Sequence, residues 1–259
     1  MRKLERCSGG LLVAVCLAIM GYMNTYSVRL KNKYEIAERT LAFVFEKPKG
    51  FQFQAGQYTA MTLPKLDFAD AKGATRVLSI ASAPSDDELV FGARITESAF
   101  KKTLAQMPVG GEVTIHEATG HFVLPEDQTR EIVFLAGGIG ITPVRSILRQ
   151  AFAEKRNNPF VLFYSNRRPG DASFCQEMQN FSGLNYRCID TLTQNEGVCD
   201  WQEESGYICA AMLKKYLKEI PHALYYIVGA TGFIQAMGKI LEELGVPDTN
   251  IKKDPFTGL

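Results

Sequence analysis

The sequence predicts two structural halves, a small antiparallel β-barrel or sandwich followed by an α/β, doubly wound parallel sheet. Up to about Leu124, short runs rich in β-branched and aromatic residues alternate with turn residues, a pattern typical of small antiparallel structures. From about Arg130, near-continuous apolar runs alternate with segments of helical pattern, which is typical of a parallel sheet covered by helices. We expect the two domains at 25–125 and 126–259, joined near 125–129.

The first half is predicted to be mostly strands and the second to alternate strands with helices. Strands are expected at 26–30, 40–46, 58–63, 76–81, 89–95 and 112–117, with one helix at 98–106. In the second half, strands at 131–136, 160–165, 186–191 and 225–228 are expected to alternate with helices at about 142–155, 171–180, 207–218 and 231–244. Such alternation predicts parallel strands with helical crossovers.

Composition excludes several classes of protein. The 259 residues are 46% hydrophobic and 22% charged, which excludes disorder, collagen and coiled coil for the whole chain. The net charge of +1 disfavours a dominant nucleic-acid surface. The three histidines are widely spaced, so no metal site is expected. The six cysteines lack the C-x4-C-x2-C run of a plant-type iron–sulfur cluster and favour reduced thiols in a cytoplasmic protein.

Residues 1–24 form an extension unlike the rest of the chain. Arg2, Lys3 and Arg6 precede an uncharged apolar run at 11–23, as in a secretory signal. This run is too short to span a bilayer comfortably, and no clean cleavage site follows it. A false start upstream of Met23, a membrane-directing segment and an ordinary packed extension all stay open.

Two segments of the first half carry residues suited to phosphate binding. Arg76 opens a predicted strand and Ser79 follows three positions later; a guanidinium can pair bidentately with phosphate, and a hydroxyl can bond a ring edge. Thr96 and Ser98 open a predicted helix, whose free N–H groups attract anions. An ordinary strand and a normally capped surface helix are the alternatives.

The third segment is a glycine-rich turn between a buried strand and a helix. It reads AGGIGITP from Ala136 to Pro143. The glycines let the backbone approach a pyrophosphate, Thr142 can cap the helix, and Pro143 suits its first turn. The segment is a variant of the G-x-G-x-x-G fingerprint rather than a strict match.

In this order, the three segments resemble the ferredoxin–NADP reductase-like flavoprotein family, with its R-x-Y-S, flavin-pyrophosphate and G-G-x-G-x-T-P motifs. The resemblance extends from about Tyr26 to the C-terminus. It implies an antiparallel flavin barrel followed by a nucleotide domain. It also implies an FAD enzyme in which hydride passes from NAD(P)H to flavin N5 and electrons then pass to a separate acceptor. A ferredoxin- or flavodoxin-type carrier, an oxygenase component and free flavin are the candidate acceptors.

The resemblance also implies a role for each matching residue. Ser79, at the flavin N5 edge, and Gly229, close to the nicotinamide, are the candidate catalytic residues. The other flavin contacts would come from Arg76 at the phosphate, Val77 and Leu78 along the ring, and the backbone of Thr96, Ser98 and Ala99 at the pyrophosphate. The nicotinamide dinucleotide would lie against Gly137, Gly138, Gly140, Thr142 and Pro143.

The chain departs from the family pattern at two aromatic positions. Leu78 and Leu259 stand where the family usually has aromatic residues, which suggests looser flavin binding or free flavin as a substrate. A catalytically weakened flavin- or nucleotide-binding module is therefore one alternative function. A membrane-tethered electron-transfer component, with residues 11–23 as its anchor, is another.

Two further expectations concern the coenzyme and the acceptor. Ser165, Arg167 and Arg168 follow the second strand of the nucleotide half and favour NADPH over NADH, because arginine suits a 2′-phosphate; loop arginines that face solvent are the alternative. Lys101, Lys102 and Arg94 are candidates for a basic rim that would receive an acidic protein carrier.

Overall fold

The computed structural model describes residues 24–69, 71–181, 183–195 and 201–256. The expectations for the extension at 1–24 therefore concern residues that lie, except for Asn24, outside this part of the chain. Within the described ranges, no helix combines the length and the apolar character needed to cross a membrane.

The first half forms a six-stranded antiparallel sheet that closes on itself. Its strands are β1 (Thr25–Ala37), β2 (Thr40–Glu46), β3 (Tyr58–Thr62), β4 (Thr75–Ser79), β5 (Glu88–Arg94) and β6 (Glu112–His116), with helix α1 (Ala99–Gln106) between the last two. The strand order is β4-β3-β6-β1-β2-β5. An antiparallel bridge between Ile80 and Phe91 joins the two ends of this order, so the sheet is a barrel, as predicted.

Strand β2 shows how the barrel packs against the second half. Its alternating residues Phe43 and Phe45 belong to the core inside the barrel. The intervening Ala42 and Val44 belong to a second core that is shared with the parallel sheet. Because side chains alternate across a strand, a strand buried on both faces needs the near-continuous apolar run seen here.

The second half is a six-stranded parallel sheet. Its strands are β7 (Ile132–Gly137), β8 (Phe160–Asn166), β9 (Tyr186–Leu192), β10 (Glu204–Ser205), β11 (Leu224–Ala230) and β12 (Ile251–Phe256). The helices are α2 (Ile141–Ala153), α3 (Cys175–Gln179), α4 (Ala210–Tyr216) and α5 (Thr231–Glu243). The strand order is β10-β9-β8-β7-β11-β12, and all pairs are parallel.

Alternating residues of the central strands feed cores on both faces of this sheet. In β7, Phe134 packs with α2 and the barrel, whereas Val133 and Leu135 pack with α4 and α5. The sheet is therefore doubly wound, as predicted. The chain moves outward from β7 to β8 and β9 and then returns to place β11 on the other side of β7. Ligands of such sheets bind at the carboxyl ends of the strands where the order reverses, here β7 and β11.

Polar contacts fix the barrel against the sheet. Arg149 of α2 donates to both carboxylate oxygens of Asp86, at 2.8 and 2.9 Å, and to Glu177 at 2.8 Å. Ser146, one turn earlier, donates to the carbonyl oxygen of Ser82 at 2.6 Å. These contacts join α2 to the loop between β4 and β5 and so fix the width of the cleft between the two halves.

The structure corrects the predicted elements at three places. Strand β1 extends to Ala37 because its polar second half pairs with β2. Helix α3 begins only at Cys175 because Phe174 has a left-handed backbone, with φ of 55°. Strands β10 and β12 were not predicted; β12 contains Pro255, which an edge strand tolerates.

Candidate active site

A cleft of about 1030 Å³ lies where the barrel meets the parallel sheet. Its barrel side is lined by the two segments that the resemblance assigns to flavin, β4 and the start of α1. Its other side is lined by Ile139 and Thr142 of the glycine-rich turn and by the end of β12. The predicted flavin residues that line the cleft are Arg76, Val77, Leu78, Ser79, Thr96, Ser98 and Ala99.

Strand β4 presents a mixed polar and apolar surface to the cleft. Ser79 is buried at the end of the strand, opposite Tyr58 of β3, which also lines the cleft. Val77 is 56% exposed and Leu78 packs partly against the barrel core. A flat, apolar ring system with polar atoms at its edge fits this surface, because the apolar side chains of Val77 and Leu78 lie next to the hydroxyl of Ser79.

Arg76 shapes the loop that precedes β4. Its Nη1 donates to the carbonyl oxygens of Lys72, Gly73 and Thr75 at 2.8–3.0 Å. Its guanidinium lies over the ring of Phe100, 5.5 Å from the centroid. The arginine is therefore positioned beside the first turn of α1, where the resemblance places the flavin phosphates.

The first turn of α1 carries polar groups without partners. Ser98 occupies the N-cap position, but its side chain makes no capping hydrogen bond and its buried Oγ has no partner among the described residues. The first backbone hydrogen bond of the helix runs from Lys102 N–H to Ser98 C=O at 3.0 Å. Ser98 N–H donates to Thr96 Oγ1 at 3.4 Å, whereas the N–H groups of Ala99, Phe100 and Lys101 have no partner within the helix and can bind an anion. A phosphate group therefore fits this turn.

The glycine-rich turn meets β11 at close range. A Cβ on Gly140 would lie 2.9 Å from the carbonyl oxygen of Val228 and 3.1 Å from Gly229 Cα. Gly229 has φ of +149°, and a Cβ there would lie 3.2 Å from the ring of Phe233. Only glycine permits this approach of the turn to β11, and the ring of Phe233 lies against both Gly229 and Gly137 at the carboxyl ends of β11 and β7.

Thr142 has a different role in the turn from the one predicted. It was expected to cap α2, but Gly140 is the N-cap residue and Thr142 lies in the first turn. Its hydroxyl donates to Ile139 C=O at 3.1 Å, and its side chain lines the cleft. Pro143 is buried in the same turn, where its missing N–H costs nothing.

Sequence reasoning missed the end of β12 as part of the cleft. Asp254, Pro255 and Phe256 line it. Burial raises the pKa of the Asp254 carboxyl to about 6, and its Oδ2 is buried without a partner among the described residues. Leu259, expected at the place of a terminal aromatic residue, lies outside those residues, whereas Phe256 puts an aromatic ring in the cleft. The sequence Asp254-Pro255-Phe256 follows polar residues and lacks the pattern of apolar and β-branched residues that predicts a strand.

The residues predicted to select the coenzyme lie away from the cleft. Ser165 is buried near the end of β8, and Arg167 and Arg168 follow it on the surface. The segment after β9 pairs with them, since Gln194 N–H donates to Arg167 C=O at 2.9 Å. Tyr207, 79% exposed, follows β10 at the same edge of the sheet.

The structure does not support the predicted basic rim. Lys101 is only 9% exposed and lines the cleft instead of its border. Lys102 forms an ion pair with Glu97, and Arg94 forms one with Asp171 of the parallel-sheet half. Two of the three cations are therefore neutralised and the third is buried.

The cysteines of the described residues lie outside the cleft. Cys175, Cys188 and Cys209 are free thiols, and burial raises the pKa of Cys175 to about 11 and that of Cys188 as well. Raised thiol pKa values favour the unreactive protonated form. Across the part of the chain that the structure describes, no three His, Cys, Asp or Glu side chains are grouped to hold a metal ion.

A closed antiparallel barrel, a doubly wound parallel sheet and the cleft between them define a two-domain architecture. Residues 134–239 match the oxidoreductase NAD-binding domain family. This match covers most of the parallel-sheet half, including the glycine-rich turn.

Curated relatives with matching sequence include reductase components. The glycine betaine monooxygenase reductase subunit of Chromohalobacter salexigens is 24% identical over 84% of this chain and 60% of its own length. The ferredoxin reductase component of 3-ketosteroid-9-alpha-monooxygenase of Mycolicibacterium smegmatis is 28% identical over 87% of this chain and 64% of its own. The chain thus spans about 60% of the length of the relatives it matches.

Solved structures share the whole fold. The flavohem-like FAD/NAD-binding domain of nitric oxide dioxygenase from Vibrio cholerae matches with a TM-score of 0.78 and 20% identity, covering 89% of this chain and 98% of that one. A ferredoxin NADP+ reductase from Neisseria gonorrhoeae with bound FAD and NADP matches with a TM-score of 0.75 and 22% identity, with the same coverages. These likenesses establish the two-domain fold.

Proposed function

We propose that the protein is an NAD(P)H-dependent FAD flavoprotein reductase that passes electrons to a separate acceptor. One observation carries the proposal. Both segments that resemble flavin motifs line one cleft, and Thr142 of the nucleotide motif lines its opposite side. A donor bound at the glycine-rich turn would therefore lie beside a flavin in the cleft, which is the proximity that hydride transfer requires.

Bound FAD would accept a hydride, which is two electrons and one proton, from NAD(P)H and release the electrons one at a time to two equivalents of a one-electron acceptor. The chain supplies orientation. Val77 and Leu78 provide the apolar wall, and the Ser79 hydroxyl provides a hydrogen bond at the ring edge. Gly140 lets the glycine-rich turn pack against β11, and Gly229 at the end of β11 is the residue that the resemblance places close to the nicotinamide.

Asp254 adds a proton-carrying group to the cleft. With a pKa raised by burial to about 6, its carboxyl is partly protonated slightly below neutral pH. Asp254 lines the cleft, and its Oδ2 is buried without a hydrogen-bond partner among the described residues. We propose that Asp254 holds a proton at Oδ2 when the charge in the cleft changes during reduction of the flavin.

NADPH is the proposed donor because Arg167 and Arg168 are exposed at the carboxyl end of β8, where the adenosine ribose of such folds lies. The exposed ring of Tyr207 at the same edge is suited to stacking with the adenine. The acceptor is proposed by class, a ferredoxin-type carrier or an oxygenase component, as the names of the relatives state for those proteins.

The test is steady-state oxidation of NADPH with ferricyanide as electron acceptor, using the chain reconstituted with FAD. We expect turnover that depends on added FAD and falls at least tenfold in Ser79→Ala, because a hydrogen bond at the reacting edge is lost. Ser27→Ala, an exposed serine on β1, is the matched control and should be unchanged. FAD binding without turnover would instead support the weakened binding module.

The cytoplasm is the proposed location, supported by the free thiols Cys175 and Cys188. Cell fractionation with mass spectrometry of the native N-terminus tests it. Recovery of the chain in the membrane fraction with residues 11–23 intact would support the membrane-tethered alternative.

A further inference from the structure

Lys101 is a buried cation in an environment that disfavours positive charge. It is 9% exposed and lines the cleft. It has no ion pair or hydrogen bond with another described residue. Burial, followed by the nearby cations Arg76, Arg94 and Lys72, lowers its pKa. Its Nζ is not among the buried polar atoms that lack a partner, so the ammonium reaches the open cleft while the rest of the side chain is buried.

The position of Lys101 in α1 adds to the unfavourable charge. It lies in the first turn of the eight-residue helix, where the partial positive charge of the helix favours acidic side chains. That turn contains no acidic residue. The Ser98 Oγ and the free N–H groups described above lie in the same turn. Ser98 and Lys101 therefore line the same cleft, and the first turn of the helix itself holds no carboxylate.

We infer that Lys101 is a second charged ligand of the flavin diphosphate, beside Arg76, and that it strengthens the preference of the cleft for FAD over an unphosphorylated flavin. The inference rests on the proposed function, because it needs a flavin in this cleft. A diphosphate carries at least two negative charges, which the ammonium and the helix N-terminus would neutralise together. The diphosphate would also offset the repulsion between Lys101 and Arg76.

Substitution of Lys101 separates this role from packing. Lys101→Met removes the charge and keeps an unbranched side chain of similar length, whereas Lys101→Arg keeps the charge. Lys102→Met is the matched control, since its neighbouring ammonium pairs with Glu97 Oε2 at 2.5 Å. The full chain is titrated with FAD and with riboflavin, at low and at high salt, following the quenching of flavin fluorescence.

We expect Lys101→Met to weaken FAD binding by about tenfold or more, the usual effect of losing a charge-assisted hydrogen bond. Riboflavin binding should be unchanged, and added salt should weaken FAD binding less than in the wild type. Lys101→Arg and Lys102→Met should bind FAD nearly as the wild type does. Without flavin, Lys101→Met should unfold at the wild-type temperature or above it, because a cation that lies near other cations has been removed.

Two results would overturn the inference. Wild-type FAD affinity in Lys101→Met would show that the ammonium does not touch the diphosphate. Equal losses for FAD and riboflavin, with a lower unfolding temperature, would show a packing role. If the wild type itself binds no FAD, the proposed function fails; if it binds FAD and NADPH reduces it, only the role of Lys101 is at stake.

Discussion

Replacing Asp254 by asparagine should stabilise the flavin-free protein, and only above acidic pH. The pKa of the carboxyl is about 6 in the folded chain against an ordinary value of 3.8, because burial disfavours its charged form. At about 1.36 kcal/mol for each tenfold change in proton affinity, the ionised carboxyl costs the folded state at most about 3 kcal/mol. Asparagine has the same shape and no charge, so the substitution removes this cost.

The sign of the pH dependence follows from the direction of the shift. Below pH 3.8 the carboxyl is protonated in both the folded and the unfolded chain, so the aspartate costs nothing. Between pH 3.8 and about 6 the unfolded chain ionises first, so wild-type stability falls as pH rises. Above about pH 6 the carboxyl is ionised in both the folded and the unfolded chain, so the loss of wild-type stability is complete and no longer changes with pH. The stabilisation by Asp254→Asn should therefore grow from zero to its full value across this range.

The assay is urea unfolding of wild type and Asp254→Asn at a series of pH values, followed by circular dichroism. Asp248→Asn, at an exposed position in the turn before β12, removes the same charge and should show no such pH-dependent difference. A gain of about 1–3 kcal/mol at pH 8 that vanishes near pH 4 is the predicted result. Equal stability of Asp254→Asn and wild type at every pH would refute the argument that the carboxyl is desolvated.

Three further substitutions test the turn, the coenzyme site and the junction of the two halves. Gly140→Ala should lower the free energy of unfolding by about 1–3 kcal/mol, because its Cβ would meet the backbone of β11. The control Gly232→Ala has open space around it and should be neutral or slightly stabilising. Equal effects of the two substitutions in urea unfolding would contradict the clash at Gly140. Changing Arg167 and Arg168 together to serine should raise the KM for NADPH about tenfold or more and leave that for NADH unchanged; steady-state kinetics would disprove this if both values moved together. Arg149→Met should lower the free energy of unfolding by about 1–2 kcal/mol, since two carboxylates lose a partner; unaltered denaturant midpoints would show that these ion pairs contribute nothing.

Local sequence patterns predicted the elements whose structure depends mainly on their own residues. The buried run before Gly137 predicted β7, and the turn after it predicted the start of α2 to within one residue. The resemblance of the Arg76 and Ser98 segments to flavin motifs then predicted which residues face one ligand. The structure confirms that these residues share a cleft.

The rest depended on tertiary contacts that no local pattern records. Strand β12 forms because β11 offers a free edge, which overrides the poor strand propensity of Lys252, Lys253 and Pro255. The fold then brings Asp254 and Phe256 into the cleft. The sequence also placed Lys101 on a surface rim, because consecutive lysines usually face solvent. Only the rotation of α1 shows that one of them points inward while the next pairs with Glu97.

The most direct test of the central claim is an anaerobic titration of the FAD-reconstituted chain with NADPH, and separately with NADH, following the visible flavin absorbance. The proposed function predicts that one equivalent of NADPH bleaches the flavin, and does so faster than NADH. Flavin that binds in the cleft and stays oxidised with both donors would contradict the assignment of this protein as a reductase.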